Sequence, residues 1–146
     1  MERKKAEIII RSIQHDIDEK ETVNQYKGHY AYRDGEHLFN YEEPLEDADS
    51  IPSAEKKAVI KNLYKIKPHS LFHRKSGAVS SKMFFEKGTK YRSIYQTPFG
   101  DFALELFTRQ FLCQAYSNKL AASINYDLHL NNAFVSNCTI EIEVLF

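Results

Sequence analysis

Tryptophan is absent from this sequence, and glycine, proline, cysteine and methionine are scarce, at five, four, two and two residues. So few glycines leave no Gly-rich loop to cradle a phosphate. The two cysteines, Cys113 and Cys138, lie far apart and read as ordinary reduced thiols of an intracellular protein; one disulfide between neighbouring strands is the alternative. Neither sign of charge is in excess: twenty basic residues face twenty acidic ones and the formal net charge is zero. That argues against a nucleic-acid binder driven by a strong positive field, while leaving a local patch open. No segment approaches the ~20 apolar residues of a membrane helix. The apolar run Ile8 to Ile10, after a charged start, is too short for a signal-peptide core. The expectation is a soluble, cytoplasmic protein without membrane contact.

What the chain has instead is aromatic residues and alternation. It holds nine tyrosines and ten phenylalanines, which suit half-buried strands whose rings pack inward while hydroxyls find partners. Ile8 and Ile10 oppose Ile9, Arg11 and Ile13 in a first strand over Ala6 to His15. Asn24 to Arg33 and His37 to Glu43 flank Asp34-Gly35, a tight-hairpin signal. Lys56 to Lys67, Ser70 to Arg74 and Ala78 to Glu86 follow. A strand then starts at Thr89, with Tyr91, Ser93, Tyr95 and Thr97 on one side. Beyond the Pro98 to Gly100 turn, Phe102, Leu104 and Leu106 oppose Asp101, Glu105 and Arg109. Leu120 to Leu130 and Phe134 to Phe146 alternate in the same way. A period of two marks strands with one wet face.

Helix competes only at Ala103 to Ala122, where strand is favoured. Pro44 to Ala54 is acidic and turn-rich; it reads as a solvated connector, with a lid over a cavity mouth as the alternative. A chain of 146 residues is most simply one domain, spanning 1–146, and long enough for a core without disulfides or metal. The expected fold is all-β: an antiparallel meander barrel of roughly eight to ten strands.

The order of several short segments resembles the DUF1934 (YwiB-like) family of small bacterial proteins. The segments are His73-Arg74-Lys75-Ser76-Gly77-Ala78-Val79, Met83-Phe84-Phe85, Lys87-Gly88, Tyr95-Gln96-Thr97-Pro98-Phe99-Gly100 and Ile124-Asn125-Tyr126-Asp127-Leu128. Tyr26-Lys27-Gly28, Tyr30 and Tyr41-Glu42-Glu43 look like that family's opening hairpin. The resemblance spans nearly the whole chain and implies a calycin-like, lipocalin-like barrel with no established activity. The acidic connector and the cysteine pair depart from the family pattern.

Among candidate site residues Arg74 stands first. If Phe72 points inward, period two turns Arg74 inward too, and its guanidinium fork suits a carboxylate or phosphate. An internal ion pair or tyrosine contact is the competing role, and an outward Arg74 removes both. Tyr26, Tyr30, Tyr91, Tyr95 and Tyr126 are the candidate walls of a ligand pocket, or simply core rings with hydroxyls bonded at the rim. The six histidines show no metal-ligand spacing, although His29 and His37 flank the hairpin. No metal or cofactor is expected. No nucleophile has a recognisable base; Cys138 lies on an apolar parity, and Glu42-Glu43 and Glu141/Glu143 look like solvated faces. Lys56, Lys57, Lys61 and Lys65 form an outward basic stripe that Lys90 and Arg92 extend.

The leading expectation is non-enzymatic binding of a small amphipathic or anionic ligand inside the barrel. The alternative is a filled-core interaction module that meets a protein or RNA through the stripe or a strand edge, with nucleic acid the less favoured partner. An enzyme ranks third. Oligomeric state, including a homodimer, stays open.

Overall fold

The computed structural model describes residues 3–44 and 59–146. Ten strands fill them: β1 (Lys4–Gln14), β2 (Lys20–Arg33), β3 (Glu36–Pro44), β4 (Val59–Lys67), β5 (Ser70–Gly77), β6 (Ser81–Glu86), β7 (Lys90–Thr97), β8 (Gly100–Ala115), β9 (Lys119–Leu130) and β10 (Ala133–Leu145). All pair antiparallel in one sheet of order β6-β5-β4-β3-β2-β1-β10-β9-β8-β7. The expected all-β meander is therefore observed, and Ala103 to Ala122 falls on β8 and β9 and the turn between them, with no helix. Among the described residues no helix is long and apolar enough to cross a membrane.

Pairing of β1 with β10 joins the two ends of the chain, with Ile8 opposite Val144 and Ile10 opposite Ile142. The seam lies elsewhere, between β6 and β7. There Ser80 and Gln96 exchange backbone hydrogen bonds of 2.9 and 2.8 Å, and the Ser93 hydroxyl donates to the Lys82 carbonyl at 2.7 Å. The sheet is a nearly closed barrel.

Turn chemistry sets the hairpins. Asp34 and Gly35 take φ of 51° and 82°, as a tight primed turn between twisted strands requires. Asn131 and Asn132, at 51° and 67°, do the same between β9 and β10; asparagine tolerates this region better than other residues with a Cβ. A bulge between Thr108 and Gln110 shifts the register of β8. Inward parity passes there from Leu104, Leu106 and Thr108 to Phe111 and Cys113. A second bulge interrupts β10 between Phe134 and Ser136.

The core is the inner face of the barrel. Ile8, Phe39, Ile66, Leu71, Phe85, Leu106, Leu120, Ile124 and Val144 are almost wholly buried there, each contributing roughly 1.5–3 kcal/mol by leaving water. The outer parity carries ion pairs: Arg11 with Glu21 and Glu141, Arg92 with Glu105, Lys119 with Glu143. Glu141 and Glu143 thus lie on the outer face as their alternation predicts.

Two expectations, an inward Arg74 and a solvated Glu43, are corrected by register. In β5, Leu71 pairs with Ile66 and Phe85 and is buried in the core. Phe72 is therefore outward and Arg74 is exposed on the outer surface, because a shift of one residue exchanges the two faces of a strand. Glu43, expected on a solvated face, turns inward, while Glu42 is exposed. His29 and His37 do not meet across the hairpin: His29 opposes Asn40 and His37 opposes Tyr32. Cys113 and Cys138 are free, on β8 and β10 with β9 between them. The acidic connector beyond Pro44, with Lys56 and Lys57, lies outside the described residues.

Candidate functional site

Three successive strands each carry a polar or aromatic pair two residues apart: Tyr41/Glu43 on β3, Asn62/Tyr64 on β4 and His73/Lys75 on β5. Residues two apart share a face, and the register joins them, with Tyr41 opposite Asn62, Asn62 opposite Lys75 and Tyr64 opposite His73. All six face the barrel interior, an unusual load for the inner wall of a barrel whose other side is aliphatic.

Glu43 is the hub of their hydrogen bonds. The Tyr26 hydroxyl donates to Oε2 at 3.2 Å and Asn62 Nδ2 to Oε1 at 3.0 Å. Lys75 Nζ stands 3.8 Å from the same Oε1. The carboxylate can only accept, which fixes the Asn62 amide with its nitrogen toward Glu43 and its oxygen away. That oxygen meets His73 Nε2 at 2.8 Å, so Nε2 carries the hydrogen and the tautomer follows from the network. Burial, helped by the Lys75 charge, pushes the His73 pKa well down. The ring is a neutral imidazole.

The rings of this wall stack from strand to strand. Tyr26 lies 4.1 Å from Tyr41 and Tyr64 lies 3.9 Å from His73, each pair within about 10° of parallel. Phe39 stacks on Tyr64 at 4.5 Å. The Tyr41 and Tyr64 hydroxyls meet at 3.1 Å, and burial raises both phenol pKa values far enough to keep them protonated.

Between this polar wall and the aliphatic side lies a cavity of about 210 Å³. Ile10, Ile124, Ile140, Ile142, Leu71, Met83 and Phe85 line it, together with Asn24 and Ser12. Tyr126 joins the lining from β9, its phenol pushed up by burial. Pro44 and Val59, the described ends of the acidic connector, are paired next to Glu43 and Ile60.

The cavity gathers only part of the predicted set. Tyr26 and Tyr126 line it. Tyr30 is buried toward the opposite end, stacked on Phe146 at 3.8 Å with its hydroxyl 2.7 Å from His37 Nδ1. Tyr91 stands beside Phe84 at the seam, with ring centroids 6.1 Å apart. Tyr95 packs against Ile60 and Val79 in a separate small cluster. Arg74 is outside, and the interior cation is its neighbour Lys75. Glu43, Asn62, Tyr64, His73 and Lys75 were not singled out: β5 offers two apolar parities, Glu43 sits beside a second glutamate at a strand end, and in β4 the inward row of Ile60, Tyr64 and Ile66 reads as plain core. The signal that could have found them is a charged residue on the same parity as Tyr41 and His73.

Among the described residues no group of three or more His, Cys, Asp or Glu side chains is placed to hold a metal ion. Burial raises both thiol pKa values, which keeps Cys113 and Cys138 poor nucleophiles.

The fold is shared with a solved protein. The chain superposes on the ywiB protein from Bacillus subtilis with a TM-score of 0.76 at 19% identity, covering 98% of this chain and 92% of that one. A comparison with curated proteins finds no match. The model of the family described as "Domain of unknown function (DUF1934)" matches residues 8–142. With nearly the whole barrel inside that match, the chain belongs to the DUF1934 family.

Proposed function

We propose that this protein binds a small amphipathic ligand inside its barrel, in a lipocalin-like manner and without catalysing a reaction on it. The observation that carries the reading is the cavity of about 210 Å³ with one aliphatic side and one wall bearing Glu43, Lys75 and the tyrosine–histidine ladder. A dry cavity of about 150 Å³ already holds a benzene ring, so the space suits a compact ligand. Lys75 takes the charge-supplying part that an inward Arg74 would have had. A neutral His73 held by Asn62 and two thiols raised by burial favour a binder over an enzyme. The free thiols are also those of a reducing compartment, which supports a cytoplasmic location.

Native mass spectrometry on protein purified gently from its own host tests this. The expected result is extra mass that leaves on denaturation and is missing from Met83→Trp, which fills the cavity. A bare mass in both proteins, with no change in stability on adding small amphiphiles, would sink the reading.

A second reading has its own observation. Lys61, Lys65, Arg74 and Lys82 are exposed on the outer face of β4 to β6 and form no ion pair among the described residues. Arg74 and Lys82 even oppose each other directly, an arrangement that costs stability. Half-buried Leu63, Phe72 and Phe84 lie among them. Such a face fits an acidic protein partner or RNA. Binding that weakens with salt and with the double change Lys61→Glu, Arg74→Glu would support it; binding indifferent to both would remove it.

A further inference from the structure

We infer that the interior ligand is a small zwitterion with an apolar body, of the leucine or phenylalanine kind, its ammonium meeting Glu43 and its carboxylate meeting Lys75. This rests on the interior-binding reading above and names the class of ligand.

Charge balance is the first argument. Among the described residues, Glu43 and Lys75 are the charged side chains lining the cavity, one of each sign, and His73 beside them is neutral. A singly charged ligand would bring an uncompensated charge into a partly desolvated space, which is costly. A purely apolar one would strip water from Glu43 and Lys75 without replacing it. A zwitterion leaves every charge paired.

The geometry of the pair is the second. Outer-face pairs close fully, Lys119 on Glu143 and Arg109 on Asp127 at 2.6 Å each. Lys75 and Glu43 stop at 3.8 Å, with side chains 23% and 20% exposed. The Tyr26 and Asn62 donors hold the carboxylate, which keeps acceptor capacity free. The ammonium has three donors, and Glu43 is its partner among the described residues. One ion of each sign therefore has an open bonding position toward the same cavity. Ile10, Met83, Phe85 and Ile124 provide the apolar surface beyond.

The test is calorimetric titration of the full chain with L-leucine and L-phenylalanine. The comparison ligands are 4-methylpentanoate and isopentylamine, which are leucine without its ammonium and without its carboxylate. The amino acids should bind at least about tenfold more tightly than either analogue, because a site built for both groups is left with an unpaired ion by each. Lys75→Met should erase the preference over the amine, and Glu43→Gln the preference over the acid. The four-ligand comparison on the unaltered chain decides even where a variant fails to fold. Equal or tighter binding of the acid or the amine overturns the zwitterion while leaving interior binding intact. Silence from all four, with host-derived mass still seen in native spectra, does the same. Failure of interior binding itself shows instead as a bare native mass.

Discussion

His73 donates through Nε2 to Asn62 Oδ1 at 2.8 Å, and this bond links a buried imidazole to the Glu43 carboxylate two groups away. The direction of the chain is set from its acceptor end, so the imidazole is neutral and of one tautomer. Protonation of His73 would place a cation in the core beside Lys75.

A pH dependence follows from that burial. The folded-state pKa of His73 is pushed well below its ordinary 6.5, so below that pH the unfolded chain binds the extra proton and the folded one does not. Its contribution to stability is complete above about pH 6.5 and declines as pH falls, by up to about 1.4 kcal/mol per unit. His37, lowered by its own burial, acts in the same direction. Urea unfolding at about pH 7.5, 6 and 5 should show the decline, and His73→Gln should flatten it. An unchanged slope in that variant would refute the assignment to His73.

The Tyr41 and Tyr64 hydroxyls are each other's partner at 3.1 Å inside the barrel. Tyr41→Phe or Tyr64→Phe alone leaves a buried hydroxyl unpaired and should cost about 1–3 kcal/mol. The double change removes both groups and should cost clearly less than the sum. Denaturant midpoints for the four proteins of this cycle measure the coupling; strict additivity would mean that the hydroxyls do not interact.

Gly28 admits no side chain. A Cβ there would run into the Asn40 carbonyl on β3 and the Ile8 side chain on β1. Gly28→Ala must therefore push β3 away from β2 and disturb the strand that holds Tyr26. A loss of more than about 3 kcal/mol, or no folded protein, is expected. Thermal melting within a degree or two of the unaltered protein would contradict the close approach.

Asp127 receives Arg109 Nε at 2.8 Å and Asn137 Nδ2 at 2.9 Å. The Arg109 bond, more than any other contact, holds the carboxyl below its usual 3.8. Its stabilisation is present above that pH and is lost as acid brings the folded carboxyl to protonation. Solvent screens the half-exposed Arg109, so Asp127→Asn should cost only about 1 kcal/mol near neutrality. The cost should fade as acid protonates the folded carboxyl, when both proteins carry a neutral group. A deficit that persists in acid would point to packing rather than charge.

Much of the barrel was legible from alternation alone. Leu104, Leu106, Ile124, Ile142 and Val144 fall on the predicted inner parity, since each lies in a strand whose other face is largely polar. Asp34-Gly35 announced its turn by residue type. The candidate site was less legible. In β5, Leu71 and Phe72 are both apolar, so the strand offers two parities. Choosing Phe72 put Arg74 inside, whereas Leu71, His73 and Lys75 are the inward row. Tyr91 and Tyr95 share the parity of the inner wall, yet β7 runs along the seam and keeps them from the cavity. Glu43 was passed over although it shares the parity of Tyr41, because a glutamate beside another glutamate at a strand end normally faces water.

By itself the sequence determined the strand content and the hairpin turns, because period-two patterning and turn residues are local properties of the chain, and the order of its short motifs carried the resemblance to the family. Tertiary structure decided which face of β3 and β5 turns inward and which of the tyrosines meet. That choice depends on cross-strand register, which moves every side chain of a strand together. A one-residue shift in β5 is enough to exchange Arg74 for Lys75 at the Glu43 carboxylate.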